Sequence, residues 1–150
     1  MTAAREVTIL IAEDDTGHAR LIEKNLVRAG LHNGMRRFEN GQALLDFLFR
    51  HGPGRHREAD TPYLILLDIR MPGVDGVEVL RRIKADAALR RVPVIMLTTT
   101  DDPREVERCH DLGCSSYIVK PVDYEKFAEA VKSLGLYISL VHIPELGEPA

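Results

Sequence analysis

Four short apolar runs in this chain each stop at a polar side chain. They are Ile9-Leu10-Ile11-Ala12 before Glu13-Asp14-Asp15, Leu64-Ile65-Leu66-Leu67 before Asp68, Val94-Ile95-Met96-Leu97 before Thr98, and Tyr117-Ile118-Val119 before Lys120-Pro121. Runs this short, apolar throughout and separated by stretches with helical spacing, predict strands of a parallel sheet buried on both faces. In such sheets, ligand chemistry gathers beyond the carboxyl ends of the strands. Glu13, Asp14, Asp68, Thr98 and Lys120 are therefore expected around one crevice.

The remaining elements complete a βα unit repeated five times. Strands are expected at Val7–Ala12, Met35–Phe38, Tyr63–Leu67, Val92–Leu97 and Ser116–Val119. Of these, Met35–Phe38 is polar and suits a sheet edge, whereas Tyr63–Leu67 is the most apolar and suits the centre. Helices are expected from Asp15 or Thr16, from Asn40, from Asp75, from Pro103 and from near Asp123, because Asp and Asn cap helix N-termini and Pro fits a first turn. His51–Pro62 reads as a long solvated surface loop. Right-handed crossovers then place helices on both faces. The expected fold class is α/β: a five-stranded parallel sheet of order 2-1-3-4-5, flavodoxin-like and doubly wound.

Composition narrows the function. A length of 150 residues suits one domain. A net charge of −3 with mixed signs argues against a broad nucleic-acid surface. No apolar stretch approaches the roughly 18 residues of a membrane span. Cys109 and Cys114 make neither a disulfide framework nor zinc spacing and read as ordinary buried residues, which suits a reducing cytoplasm.

Crowded carboxylates at the ends of neighbouring strands repel one another, and a hard divalent cation such as Mg²⁺ resolves that conflict with oxygen ligands. Asp68, after the most buried strand, can act as a nucleophile toward phosphorus. Lys120 supplies a cation for phosphoryl oxygens and Thr98 a hydroxyl donor. Singly, each has an ordinary structural role: an Asp caps a turn, a Lys before Pro is solvated, a Thr favours a strand. Their convergence on one sheet edge is what points to chemistry.

The stretches ILIAEDD, LILLDIRMPGVDG, PVIMLTT and GCSSYIVKP, in this order, resemble the receiver domain of two-component response regulators over roughly Arg5 to Leu140. The resemblance implies that Asp68 is the phosphoacceptor. It implies that Glu13, Asp14, Asp68 and the backbone carbonyl of Arg70 hold Mg²⁺, with Asp14 a direct ligand. Thr98 and Lys120 become the phosphoryl-sensing pair, and Tyr117 the aromatic switch that follows Thr98. Glu13 stands where the family more often has Asp, and Thr99 where a smaller residue is common. Arg70 and Thr100 occupy positions that tune acyl-phosphate lifetime. The family also favours a cis Lys120–Pro121 peptide, an isomer that a sequence does not fix.

The expected organisation is a receiver over 5–140 and a C-terminal tail over 141–150, too short for an output domain. The chain is then read as a stand-alone response regulator that accepts a phosphoryl group from a sensor histidine kinase and switches a protein-interaction surface. It catalyses only its own phosphorylation and dephosphorylation. A phosphorelay intermediate serving a histidine phosphotransfer protein is the alternative. The long loop and apolar tail resemble small regulators paired with phytochrome-type kinases. Leu136–Pro144 reads either as an arm folded back on its own domain or as part of a homodimer surface shared with the fourth helix, fifth strand and last helix. Neither nucleic acid nor membrane is expected as a partner. Two rivals fit less well. An FMN carrier would want a hydroxyl- and glycine-rich loop where Glu13-Asp14-Asp15 would repel phosphate. An aspartyl-phosphate hydrolase commonly places a second carboxylate where Arg70 stands. A receiver-like module that only docks partners would not need the full metal and phosphate set.

Overall fold

The computed structural model describes residues 6–140 and 143–147. Successive side chains on a strand point to opposite faces, and both faces of this sheet are apolar. Ile9, Ile11, Leu64, Leu66, Ile95 and Leu97 pack on one face with Leu21, Ile22, Leu26, Phe127 and Val131. Leu10, Ala12, Ile65, Leu67, Val94 and Met96 pack on the other face with Leu44, Leu48, Val79, Leu80, Ile83 and Cys109.

The described residues form β1 (Thr8–Ala12), α1 (Thr16–Arg28), β2 (Met35–Phe38), α2 (Gly41–Phe49), β3 (Tyr63–Leu67), α3 (Gly76–Ala85), β4 (Val94–Thr98), α4 (Pro103–Leu112), β5 (Ser116–Val119) and α5 (Tyr124–Ile138). The strands are parallel in the order β2-β1-β3-β4-β5. Helices α1 and α5 cover one face and α2, α3 and α4 the other. This is the expected doubly wound architecture, with β3 central and the polar β2 at an edge.

Each helix begins where a short polar side chain replaces a missing backbone partner. Asp15, Asn40, Asp75, Asp102 and Asp123 accept hydrogen bonds from the amides of His18, Ala43, Glu78, Arg104 and Lys126. Each such cap contributes about 1 kcal/mol.

Several expectations need correction. β4 starts at Val94 rather than Val92, because the Val92 amide bonds back to Leu89 and Pro93 has no amide hydrogen to give. The loop before β3 is not wholly solvated. Arg57 is buried, its amide bonding to Phe47 O and its Nε to Leu48 O. On α4, Cys109 is fully buried as expected, with Val106 and Leu112 half-buried. The Lys120–Pro121 peptide, whose isomer the sequence leaves open, is trans.

The described part of the tail folds back on its own domain. Ile143 packs beside the α1–α5 layer, Leu146 is buried in the opposite layer, and Gly147 O accepts a hydrogen bond from Arg57 Nη2 at 3.1 Å. Arg5, Val141, His142 and residues 148–150 lie outside the described residues.

Candidate functional site

Backbone pairing carries the strand ends into the site. The Glu13 amide donates to Phe38 O at 3.0 Å, and the Asp68 amide donates to Ala12 O at 3.1 Å. The Lys120 amide donates to Thr98 O at 2.6 Å. Three loops leaving β1, β3 and β5 are thereby held beside one another, and Glu13, Asp68, Thr98 and Lys120 are all buried.

The ammonium of Lys120 sits between the carboxylates. Its Nζ lies 2.5 Å from Glu13 Oε1 and 3.1 Å from Asp68 Oδ2. One oxygen each from Glu13, Asp14 and Asp68 falls within 4.8 Å of the others, with Asp14 exposed at the rim. Burial pushes the Glu13 carboxyl up to about 8, reinforced by Asp68 and opposed by Lys120. Burial would raise Asp68 as well, but the neighbouring Glu13, Thr98 and Lys120 side chains outweigh it and hold Asp68 below its ordinary value. One buried cation thus leaves two carboxylates in conflict. Glu13 Oε2 is buried without a hydrogen-bond partner among the described residues. An unpartnered oxygen beside two further carboxylates is the donor set a hard divalent cation takes.

Thr98 Oγ1 is likewise buried without a hydrogen-bond partner among the described residues. Tyr117 is half-buried, and its hydroxyl donates to Thr100 O at 2.7 Å, tying β5 to the loop after β4. Arg70 is exposed, with its amide 3.4 Å from Asp68 Oδ1. Glu13, Asp14, Asp68, Thr98 and Lys120 therefore meet at this edge, with Tyr117 and the Arg70 amide beside it.

Sequence reasoning missed three supports. Arg37 donates from Nε to Glu13 O at 3.0 Å and from Nη2 to Asp14 O at 3.1 Å, clamping the acidic loop from the edge strand. Its signal was a charged residue in a strand one position before the Phe38 that pairs with β1. Gly76 lets α3 approach the chain at Asp68, since a Cβ there would lie 2.1 Å from Asp68 O. His18, three residues past the Asp15 cap, places Nδ1 3.0 Å from both Glu13 Oε1 and Lys120 Nζ.

Residues 9–132 match the family described as response regulator receiver domain. The chain belongs to that family. Among curated relatives, the probable methanogenesis regulatory protein FilR2 of Methanothrix harundinacea is 37% identical over 86% of this chain and 81% of its own length. Among solved structures, a response regulator receiver domain from Rhodospirillum rubrum is 46% identical, with TM-score 0.89 over 95% of this chain and 100% of that one. The phosphorylated cyanobacterial phytochrome response regulator RcpA is 28% identical, with TM-score 0.80 over 93% and 99%. Glu13, Asp14 and Asp68 form an acidic cluster at the sheet edge of this receiver.

Proposed function

We propose that this receiver accepts a phosphoryl group on Asp68 from the phosphohistidine of a sensor histidine kinase, of the phytochrome type given its similarity to RcpA. The observation that carries the reading is Asp68 itself: a buried carboxylate held in its charged form, with an ammonium 3.1 Å away. An Asp68 oxygen forms the new bond to phosphorus as the bond from phosphorus to the donor's imidazole nitrogen breaks, and the freed imidazole leaves with the electron pair.

Glu13, Asp14, Asp68 and the Arg70 carbonyl are the groups that would hold Mg²⁺. When bound, it would offset the charge of the phosphoryl group. Lys120 turns its ammonium from the Asp68 carboxylate to a phosphoryl oxygen. Thr98 gives the hydroxyl that has no full partner before transfer. The Tyr117 hydroxyl then leaves Thr100 O, and the loop after β4 moves with it.

The output is a change in affinity at the α4–β5–α5 face. Val119, Val122, Tyr124 and Tyr137 are exposed along β5, α5 and the loop between them, a surface suited to a partner protein or a second copy. The reading places the protein in the cytoplasm.

Incubation with Mg²⁺ and phosphoramidate should add one phosphate to the intact protein by mass spectrometry, and Asp68→Asn should take none. A phosphorylated Asn variant would overturn the assignment.

A further inference from the structure

Lys120 presents three N–H donors and is 4% exposed, so each needs a partner inside the protein. Two go to Glu13 Oε1 and Asp68 Oδ2. The third faces His18 Nδ1 at 3.0 Å. An ammonium only donates, so a hydrogen bond in this contact requires Nδ1 to accept, with the imidazole proton on Nε2; the other tautomer would instead donate from Nδ1 to Glu13 Oε1. Glu13 Oε1, itself 3.0 Å from Nδ1, accepts from the same ammonium.

The ring is held from two sides. The His18 backbone amide donates to the Asp15 cap at 2.9 Å, and the ring lies against Phe127 of α5 with centroids 5.6 Å apart. Phe127 is buried, and its own ring lies 6.0 Å from Lys120 Nζ. α1 and α5 together therefore fix where the nitrogen points.

We infer that His18 is a positioning residue for phosphoryl transfer, acting through Lys120. The inference rests on Asp68 being the phosphoacceptor. When the phosphoryl group arrives, the Asp68 leg of the tripod passes to a phosphoryl oxygen, while Glu13 and His18 keep the ammonium in place. Without the nitrogen, one buried N–H loses its partner and the ammonium is free to turn toward the carboxylates.

Two substitutions separate the nitrogen from the ring. His18→Phe keeps a ring against Phe127 and removes the acceptor. His18→Asn sets an amide oxygen near the place of Nδ1 and removes the ring. Phosphorylation by phosphoramidate would be followed across donor and Mg²⁺ concentrations, with thermal melting alongside. H18F should lose about tenfold in the limiting rate constant, with the Mg²⁺ midpoint unchanged, and H18N should recover most of the loss. An H18F protein as fast as wild type overturns the inference. So does H18N as slow as H18F, which would make packing rather than the nitrogen the cause, and so does a change confined to the Mg²⁺ midpoint. If wild type takes no phosphate on Asp68, the phosphoacceptor reading fails and this inference falls with it; the other outcomes leave that reading standing.

Discussion

Lys120 Nζ lies 2.5 Å from Glu13 Oε1, with each side chain 2% exposed, although the two residues stand 107 positions apart in the chain. The same ammonium lies 3.1 Å from Asp68 Oδ2, and removing it leaves that buried, charged carboxylate without compensation. Lys120→Met should therefore cost about 3 kcal/mol at neutral pH without Mg²⁺. The loss should shrink as pH falls into the acid range and Asp68, without its cation, takes up a proton; Glu13, pushed up to about 8, already holds one at neutral pH. Urea unfolding at the two pH values checks both parts.

Mg²⁺ should stabilise the folded protein. A ligand that binds only the folded state, at about 100 times its dissociation constant, adds about 2.7 kcal/mol, or roughly 5–10 °C in melting temperature for a chain this size. Asp14 is exposed, so Asp14→Asn should leave the metal-free melt nearly unchanged and remove most of the Mg²⁺ shift.

Gly76 should not tolerate a side chain. A Cβ there meets Asp68 O at 2.1 Å and Ile69 Cα at 2.8 Å, both backbone atoms that cannot swing aside. Gly76→Ala should destabilise by about 2–3 kcal/mol and also slow phosphorylation, because relief requires moving the loop that carries Asp68.

The Tyr117 phenol should titrate late. Burial, aided by nearby acidic groups, pushes it up to about 12 from an ordinary value near 10. The folded state then holds this proton more tightly than the unfolded state. The associated stability is complete below the ordinary value and is lost as pH rises from there through about 12. With four tyrosines and no tryptophan, the ultraviolet titration of wild type minus Tyr117→Phe isolates this one step.

Leu146 should behave as a core residue despite lying near the end of the chain. It is 6% exposed, and Leu146→Ala should cost about 2 kcal/mol in thermal or urea unfolding.

The strands and the helix starts were legible because each depends on local chemistry: apolar runs make buried strands, and Asp or Asn caps the next helix. The strand order followed from the flavodoxin-like pattern of doubly wound sheets, and it is that order which brings Glu13, Asp14, Asp68, Thr98 and Lys120 to one edge. What the sequence did not disclose depends on pairs brought together by folding. His18 reads as an ordinary polar residue in a first helical turn until α5 brings Phe127 and Lys120 beside it. Arg57 reads as part of a charged loop until Leu48 O and Gly147 O are found around it. Gly76 reads as a helix-start glycine, and only the approach of Asp68 O shows why a methyl group would not fit.

Residues 143–147 are stitched to the loop before β3, with Leu146 buried in the core and Gly147 O held by Arg57. That fastening makes the loop before β3 and residues 143–147 one unit, so loosening either should release the other.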